Sequence, residues 1–445
     1  MSRIGLSSEF PGYKGEALKA LQEAGSEIAD FIRITKDGVT YEGVLIPRSE
    51  YGDDKHLVIK LKSGYNIGIR ITPTTRIERI GSKARLAFNP ASPPEQKPGL
   101  PRVAILSTGG TIASRVDYRT GAVRPAISAN DLYSIIPELS NIAMIEAQIL
   151  FSLFSEDMTP QHWTKIAETV ADYITNGVDG VVITHGTDTM GYTAAALSFA
   201  LQNLPVPVVL VGAQRSEDRP SSDAATNMIG AVLAAANATF AEVVVAMHEK
   251  ISDESIVLHR GTKVRKCHTS RRDAFKSVDG NPIARITDEQ ITMLTNDYSK
   301  RNASTELILK PRFDDRVALV KFDPGMSPNI IDWHADNGYK GTILEGTGLG
   351  HVSRALFRAI GKTIEKGIVV AMTSQCVWGR VDMNVYENGR DLLALGVVPL
   401  EDMLPESALV KLMWVFGQTD DIEEAKRLLR SNIAHEISER TIKIG

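Results

Sequence analysis

The sequence predicts an α/β protein whose body consists of two parallel-sheet domains, preceded by a small β-barrel-like domain. Three observations support this: short strand-like runs before residue 82, five prolines between residues 90 and 101, and alternating apolar strands and amphipathic helices from residue 102. A chain of 445 residues is long enough for more than one domain. We therefore expect domains at 1–82, 102–300 and 301–445, with a linker at 83–101.

The first domain is predicted from runs of β-forming residues separated by turns. The runs lie at 31–34, 39–46, 57–61 and 65–71. Turn residues at 36–38 (KDG) and 62–64 (KSG) separate them, and a short helix at 14–24 precedes them. Strands this short and this closely spaced are typical of small barrels and sandwiches. Each proline of the next segment fixes φ and removes a backbone donor, so we expect a semi-rigid linker.

From residue 102 the sequence alternates between fully apolar runs of strand length and helical segments. Such strands are expected in a parallel sheet that helices cover on both faces. The predicted strands are 103–107, 143–149, 181–184, 208–211 and 243–247, and the predicted helices are 159–176, 189–203 and 222–236. A polar segment near 295–312 interrupts this pattern. Further strands at 317–321, 342–345 and 368–372 then predict a second, smaller α/β domain.

Composition excludes several classes of protein. Hydrophobic residues make up 43% of the chain and charged residues 23%, as in globular proteins rather than disordered ones. No run approaches the roughly 18 apolar residues of a membrane-spanning helix, and the N-terminus lacks the layout of a signal peptide. Two cysteines cannot build a disulfide framework, so we expect a cytoplasmic protein. The formal net charge of −4 argues against a broad basic face for nucleic acid.

Glycines and small hydroxyl residues follow two of the predicted strands, at the point where ligands bind in open α/β sheets. These stretches are 107–113 (STGGTIA) and 185–189 (HGTDT). Glycine at such a point permits φ > 0 and a close approach of a ligand to the backbone. The same residues also fit a structural interpretation, in which the glycines form a tight βα turn and Asp188 caps the following helix.

A basic run at 259–268 (HRGTKVRKCH) is open to two interpretations. It fits a solvated loop, which is common for a run of charges. It also follows the strand at 243–247, which should end at the same crevice as the other strands. A lysine crowded by other cations favours its neutral form, as a proton acceptor requires. Lys266 is therefore a candidate base in a set with Thr187 and Asp188. Neither H-E-x-x-H nor C-x-x-C occurs, so we predict no metal site.

Residues 108–113 (TGGTIA) and 185–189 (HGTDT), in this order and at this separation, resemble the two signatures of bacterial-type L-asparaginases. The resemblance covers about residues 102–445 and includes 155–158 (SEDM) and 264–277. It implies an asparaginase-like fold of two parallel-sheet domains and hydrolysis of a side-chain amide.

The resemblance also implies catalytic roles for the matching residues. Thr111, on a loop after the first strand of the body, would be the nucleophile, and Tyr118 on the same loop would assist it. Thr187, Asp188 and Lys266 would polarise the nucleophile or the attacking water. A threonine hydroxyl is a weak nucleophile at its ordinary pKa, so the chemistry requires such neighbours.

Substrate binding is implied for Ser155, Glu156 and Asp188, which would hold the α-carboxylate and α-ammonium of the substrate. Backbone N–H groups at the strand–helix turns are suited to stabilise the oxyanion that forms on the amide. The stretch 346–351 (GTGLGH) resembles a second-domain loop that reaches a neighbouring protomer's site, which implies a homodimer. Leu349 stands where many asparaginases have asparagine, as does His351, so a simple asparagine specificity is not implied.

The N-terminal β domain and the linker are additional to a plain asparaginase. With them, the chain resembles the D subunits of archaeal glutamyl-tRNA(Gln) amidotransferases. This implies that the chain releases ammonia from glutamine or asparagine. A partner, the E subunit of the amidotransferase, would bind Glu-tRNA(Gln), consume ATP with Mg and amidate the glutamate, so that a homodimer with its partners forms a heterotetramer. We expect no tightly bound cofactor on this chain and tRNA contact mainly through the partner.

Two alternative functions remain open at this point. The chain fits a stand-alone L-asparaginase whose extra domain serves stability or assembly. It also fits a non-catalytic sensor that uses the same pocket to bind an amino acid. Full activity of a chain that starts near Pro101 would favour the first alternative. Tight ligand binding without turnover would favour the second.

Overall fold

The computed structural model describes residues 10–48, 52–61, 66–81, 97–110, 112, 114–117, 122–125, 129–215 and 222–441. Across these residues the chain forms an antiparallel N-terminal sheet, a large sheet with a parallel centre and a smaller parallel sheet. The fold class predicted from the sequence is therefore confirmed. Thr111, Tyr118 and most of the predicted linker lie outside the described residues.

A short helix and an antiparallel sheet form the N-terminal unit. Its elements are α1 (Gly15–Glu23), β1 (Phe31–Lys36), β2 (Val39–Leu45), β3 (His56–Leu61), β4 (Asn66–Arg70) and β5 (Arg76–Gly81). The strand order is β4-β3-β2-β1-β5, and Leu21 of α1 packs on Ile32 and other inward residues of the sheet. The sequence analysis missed β5 because Ile77 and Ile80 are its only large apolar residues and most of the strand is exposed.

The large domain begins with the first strand of the body. Its first elements are β6 (Arg102–Gly109), β7 (Ser114–Asp117), β8 (Ala122–Pro125), α2 (Ala129–Ile135), β9 (Met144–Leu153), α3 (Pro160–Thr175), β10 (Gly180–Thr184), α4 (Met190–Ala200), β11 (Leu201–Gln202), β12 (Val208–Val211) and α5 (Ala224–Asn237). The remaining elements are β13 (Val243–His248), β14 (Ile256–Arg260), β15 (Val264–Lys266), β16 (Phe275–Ser277), β17 (Ala284–Thr287), β18 (Gln290–Met293) and β19 (Ile308–Leu309).

The main sheet of this domain has the order β18-β17-β14-β13-β12-β10-β6-β9. Strands β9, β6, β10, β12 and β13 are parallel to one another, as predicted. Strands β14, β17 and β18 extend the sheet in antiparallel pairing. The sequence analysis did not predict this extension, because it assigned part of β14 to a basic loop.

Helices cover both faces of the large sheet. Val103 and Ile105 of β6 pack in one apolar cluster with α2 and α5, whereas Ala104 and Leu106 pack in a second cluster with α3 and α4. This alternation follows from the period of two along a strand. Among the described residues, no helix combines the length and apolar character needed to cross a membrane.

The second domain repeats this arrangement on a smaller scale. Its elements are β20 (Val317–Lys321), α6 (Asn329–Asp336), β21 (Gly341–Gly346), α7 (Phe357–Glu365), β22 (Val369–Ser374), α8 (Glu387–Leu395), β23 (Val398–Pro399), α9 (Pro405–Gln418) and α10 (Ile422–Arg430). The parallel sheet has the order β20-β21-β22-β23. Helix α9 joins the two domains, because its Trp414 packs against Phe199 of α4 in a shared apolar cluster.

Candidate active site

The residues that follow β6, β9 and β10 meet at one edge of the large sheet. Gly110 lies directly after β6, and a Cβ on it would sit 3.1 Å from the backbone nitrogen of Gly186. A Cβ on Gly186 would sit 2.8 Å from the Cβ of Ser155. The Thr108 hydroxyl donates a hydrogen bond to the Thr184 carbonyl at 2.9 Å and joins β6 to β10. The two stretches that the sequence singled out therefore lie side by side.

The glycines after β6 are required by the backbone geometry. Gly109 has φ of 126° and Gly110 has φ of 76°, which L side chains rarely adopt. A Cβ on Gly109 would also lie 2.1 Å from the Leu153 carbonyl oxygen. These φ angles fit the structural interpretation of a turn at the end of β6. The same turn leaves the backbone close to the residues that follow β10.

Lys266, Thr187 and Asp188 form a hydrogen-bonded cluster at this edge. The Lys266 Nζ donates to Thr187 Oγ1 and to Asp188 Oδ1, both at 2.8 Å. Thr187 is buried, and 14% of the Lys266 side chain is exposed, whereas 69% of the Asp188 side chain faces solvent. The structure therefore brings together the three residues that the sequence analysis grouped. The arrangement offers a buried hydroxyl beside an amine, with a carboxylate open to a ligand.

The alternative interpretation of Asp188 as a helix cap is not what the structure shows. The N-cap of α4 is Thr189, and no side-chain capping bond is made there. The Thr189 hydroxyl instead donates to the Ser155 carbonyl at 2.6 Å. Asp188 is paired with Lys266 at 2.8 Å. Thr189 therefore connects the segment after β10 to the turn after β9, and Asp188 connects it to the hairpin that carries Lys266.

Lys266 reaches the cluster by a different route from the one the sequence suggested. After β13, strand β14 runs back across the sheet in antiparallel pairing. Gly261 then lies beside the middle of α4, where a Cβ would be 3.0 Å from the Ala194 carbonyl oxygen. Strand β15 returns along α4, and a Cβ on Gly191 would lie 3.3 Å from the Val264 oxygen. Lys266 therefore arrives at the first turn of α4, not directly from the end of β13.

The basic run around Lys266 is balanced by carboxylates. Three of its cations are paired as Arg260–Glu242 at 2.8 Å, Lys263–Asp402 at 2.8 Å and Arg265–Glu406 at 3.1 Å. The expected crowding of Lys266 by neighbouring cations is therefore wrong for these three residues, because each is held by its own anion. The charge that lies closest to Lys266 is the carboxylate of Asp188.

Sequence reasoning missed a buried hydrogen-bonded chain behind Thr187. The Trp163 indole donates to Thr193 Oγ1 at 3.0 Å, Thr193 lies 2.9 Å from His185 Nε2, and His185 Nδ1 lies 2.7 Å from the Gly186 carbonyl. A carbonyl only accepts, so Nδ1 carries the proton and Nε2 accepts from Thr193. Burial lowers the pKa of His185 to about 4. The neutral imidazole therefore fixes the peptide that precedes Thr187. Its signal in the sequence was a histidine directly after an apolar strand.

A second buried polar chain supports the ends of β12 and β13. The Asp223 carboxylate accepts from the backbone N–H of Arg215 at 2.8 Å and from Asn227 Nδ2 at 2.9 Å. The Asn227 Oδ1 lies 2.6 Å from His248 Nδ1, and His248 Nε2 lies 3.0 Å from Asp253. This chain was also missed. The sequence feature that could have indicated it is the pair Asp223 and Asn227, an acid and an amide four residues apart at the start of the otherwise apolar helix α5.

The other predicted site residues differ in how the structure describes them. Ser155 and Glu156 lie on the 3-10 turn Ser155–Asp157, with Ser155 buried beside Gly186 and Glu156 exposed. Thr111 and Tyr118 lie outside the described residues. In the part of the chain that the structure describes, no three His, Cys, Asp or Glu side chains gather in a way that would hold a metal ion.

Three family models match the chain. They are Asparaginase, N-terminal, over residues 102–299, Glutaminase/Asparaginase C-terminal domain over 316–429, and GatD N-terminal domain over 26–80. The D subunit of the glutamyl-tRNA(Gln) amidotransferase of Methanopyrus kandleri is 51% identical over 434 residues, 96% of this chain and 94% of that protein. The corresponding D subunit of Methanothermobacter thermautotrophicus is 52% identical over 96% of this chain and 98% of its own length. The chain belongs to the glutamyl-tRNA(Gln) amidotransferase D subunits.

Solved asparaginases match the body of this D subunit. The thermostable L-asparaginase from Thermococcus kodakarensis is 34% identical with a TM-score of 0.68, and the match covers 76% of this chain and 100% of that one. L-asparaginase I from Vibrio cholerae is 29% identical with a TM-score of 0.67 over 76% and 99% of the two chains. The resemblances inferred from the sequence, to asparaginases and to the D subunits, are therefore both confirmed.

Proposed function

We propose that this D subunit hydrolyses the side-chain amide of glutamine, or of asparagine. The ammonia would pass to a partner subunit that converts Glu-tRNA(Gln) to Gln-tRNA(Gln). The observation that carries the hydrolytic step is the contact of Lys266 with Thr187 and Asp188 at the edge where β6 and β10 end. The tRNA-dependent step is supported by the similarity of nearly the whole chain to D subunits of glutamyl-tRNA(Gln) amidotransferases.

The proposed chemistry begins with attack by the Thr111 hydroxyl on the amide carbon of the substrate. The C–N bond breaks, ammonia leaves, and an ester to Thr111 remains. Water then hydrolyses the ester to release the free acid and restore the hydroxyl. Lys266 and Thr187 would carry the proton from the Thr111 hydroxyl to the leaving nitrogen, and later the proton from water to the Thr111 oxygen, while Tyr118 would assist. Positioned proton acceptors of this kind contribute about 10²–10⁴-fold to the rate.

Asp188 is suited to bind the substrate close to Lys266. Its exposed carboxylate would bind the α-ammonium of the substrate, beside Ser155 and Glu156, while it also contacts Lys266. A substrate bound there would therefore lie beside the amine that is proposed to carry the proton.

The partner would carry the other half of the reaction. We propose that it is the E subunit of the amidotransferase, which binds Glu-tRNA(Gln) and consumes ATP with Mg. The D subunit itself would then need no tightly bound cofactor. The sequence carries a formal net charge of −4, which fits a tRNA held mainly by the partner.

A homodimer is the proposed assembly of the D subunit, and with two partners it would form a heterotetramer. Exposed apolar side chains lie beside the loop at 346–351 in the second domain: Val377 is 41% exposed, Trp378 45% and Tyr386 60%. The His351 ring packs edge-on against Tyr386, with ring centroids 5.5 Å apart. Its two buried ring nitrogens find no hydrogen-bond partner among the described residues. A second copy on this surface would cover the apolar groups.

The test is ammonia release from glutamine by the purified full chain, alone and with the E subunit and Glu-tRNA(Gln). We expect hydrolysis to be coupled to amidation of the tRNA-bound glutamate. The donor preference is measured in the same assay with asparagine in place of glutamine. Strong asparagine turnover that needs neither partner nor tRNA would overturn the proposal.

A stand-alone L-asparaginase is the second candidate. It is favoured by the coverage of the Thermococcus kodakarensis asparaginase, all of which matches the body of this chain. This function predicts that a chain starting at Arg102 keeps full asparaginase activity. Loss of only the tRNA-coupled reaction on that deletion would instead support the amidotransferase function.

A further inference from the structure

The strand that carries Lys266 is held by the second domain on the side away from the site. Arg265 Nε lies 3.1 Å from Glu406 Oε1 in the first turn of α9. Lys263 Nζ lies 2.8 Å from Asp402 Oδ2 and donates to the Asp402 carbonyl at 3.0 Å. Arg265 directly precedes Lys266 in the sequence, and Lys263 lies three residues before it.

Two further hydrogen bonds fix the start of the same strand. The Ser407 hydroxyl donates to the Thr262 carbonyl at 2.7 Å, and both groups are buried. The Thr262 hydroxyl donates to the Ala434 carbonyl at 2.9 Å. The second domain thus contacts both the backbone and the side chains of the segment that leads into Lys266.

The geometry of a strand makes these contacts relevant to the site. Successive side chains of a strand point to opposite sides, so Arg265 faces away from Lys266. Lys266 is bonded to Thr187 and Asp188 of the large domain, while Arg265 is paired with Glu406 of the second domain. The three-residue strand is therefore held between the two domains.

Strand β15 has little support of its own. Among the residues that the structure describes, it pairs with the three residues of β16 alone, in a two-stranded ribbon separate from the main sheet. An isolated ribbon of this size is marginally stable. Its position along α4 must therefore come from contacts outside the ribbon.

The Lys263–Asp402 pair is a buried contact between an amine and a carboxylate. The two side chains are 4% and 3% exposed. Burial alone would raise the pKa of the Asp402 carboxyl, but the Lys263 ammonium and Ser438 hold that pKa below its usual value. Asp402 also accepts from the Ser438 backbone N–H at 3.0 Å. The Asp402 carboxylate that binds Lys263 is therefore held in place by Ser438.

We propose that the Arg265–Glu406 and Lys263–Asp402 pairs are positioning contacts, through which the second domain sets the place of Lys266 relative to Thr187. The inference rests on the proposed function of Lys266 in proton transfer. Among the described residues, the four side chains are paired with one another and not with Thr187 or Asp188, so they act through the strand that carries Lys266. They are therefore expected to affect turnover more than substrate binding.

The experiment uses the less buried pair, in the full chain with its partner subunit and Glu-tRNA(Gln). Glu406→Gln keeps the size of the side chain and removes its charge. We expect kcat for ammonia release to fall about tenfold with KM within about twofold, because a small displacement of a catalytic group costs rate rather than binding. Arg265→Met should have the same effect, and the double variant should be no worse than either single one.

Two further variants separate positioning from a general loss of structure. Arg265→Lys keeps a cation opposite Glu406 and should retain a kcat within about threefold of wild type, the loss left by a weaker but intact charge pair. Glu146→Gln breaks the Arg102–Glu146 pair, whose atoms lie 2.6 Å apart at the start of β6 and β9, far from Lys266. This control should leave kcat unchanged.

The outcomes also separate this inference from the proposed function. A wild-type kcat for Glu406→Gln, or a change in KM alone, would overturn the positioning role while leaving the function intact. Full activity of Lys266→Met would instead remove the proposed function of Lys266. If Glu406→Gln does not fold, the comparison of Arg265→Met with Arg265→Lys decides the matter, since equal kcat values for the two would overturn the inference.

Discussion

The two body domains use the same architecture with different residues at the strand ends. Both bury parallel apolar strands between helices. At the edge of the large sheet, Thr187 and Lys266 form a polar cluster with Asp188. In the second domain, the segment between β22 and α8 exposes Trp378 and Tyr386. Each sheet therefore supplies an edge, and the residues after its strands set whether that edge is polar or apolar.

The largest expected effect tests the polar edge. Lys266→Arg should lower ammonia release about 10³-fold, because arginine does not deprotonate and so cannot accept a proton in the reaction. The measurement is single-turnover and steady-state ammonia release by the full chain with its partner. Lys276→Arg is the matched control, since Lys276 lies on the same hairpin but pairs with Asp273 at 3.3 Å.

For this variant, circular dichroism and the unfolding midpoint show whether the fold is kept. An active Lys266→Arg enzyme would contradict proton transfer by Lys266. An equal loss in Lys276→Arg would show that the hairpin, not the amine, is responsible.

The next effect concerns acid stability, which should differ between the two domains. Burial lowers the pKa of His185 to about 4, and burial together with Lys276 lowers that of His259 to about 3. Both lie in the large domain. In the unfolded chain each histidine binds a proton near its ordinary pKa of about 6.5, whereas in the folded chain it does so only at lower pH. The free energy of unfolding is therefore unaffected above about pH 6.5 and decreases as pH falls toward 4. From His185 alone we expect a loss of about 3 kcal/mol.

Hydrogen exchange corrected for its intrinsic pH dependence measures this difference. Peptides from β10 and α4 should lose protection between pH 6.5 and 4.5, and peptides from β21 and β22 should lose less. A His185→Asn variant should show a shallower pH dependence in β10 and α4. Equal losses in both domains would contradict the assignment to His185.

The apolar surface of the second domain predicts a smaller effect, on association. Trp378→Lys should weaken the homodimer at least about 30-fold, since a buried tryptophan at an interface is commonly worth 2 kcal/mol or more. Sedimentation velocity across a concentration series measures the dissociation constant. Trp333→Lys is the control, because Trp333 is 55% exposed on α6 of the same domain but lies outside this surface.

For this prediction, a wild-type chain that stays monomeric at all concentrations would contradict the homodimer. An unchanged dissociation constant for Trp378→Lys would place the interface elsewhere. Equal weakening by Trp333→Lys would show that the effect is not specific to Trp378.

Much of the fold was predictable because local patterns and tertiary structure agree. The apolar runs of β6, β10, β12 and β13 could only be strands buried on both faces, and each appears within about two residues of its predicted position. Strand β14 was missed because His259 and Arg260 resemble part of a charged loop. In the structure Arg260 is paired with Glu242, the residue directly before β13, a contact that no local pattern contains.

The site was predictable to the extent that strand ends converge. Thr187 and Asp188 follow a strand directly, so their place at the edge comes from topology alone. The path of Lys266 depends on long-range packing of β15 along α4, and the pairing of Arg265 depends on a second domain more than 130 residues away in sequence. The periodicity of apolar residues does not indicate which distant segments are in contact, so these contacts could not be predicted.

The smallest expected effect compares one hydrogen bond in each domain. Thr108 donates to the Thr184 carbonyl at 2.9 Å and joins β6 to β10, whereas Thr373 donates to the Leu344 carbonyl at 3.4 Å and joins β22 to β21. Valine nearly matches threonine in shape, so Thr108→Val should cost about 1 kcal/mol of stability and Thr373→Val less. Urea unfolding measures both losses. Only Thr108→Val should also lower ammonia release, by a few-fold, because its bond sets the spacing of the two strands that lead to Gly110 and Gly186. Equal effects on activity would mean that both sheets, and not the large one alone, hold the catalytic geometry.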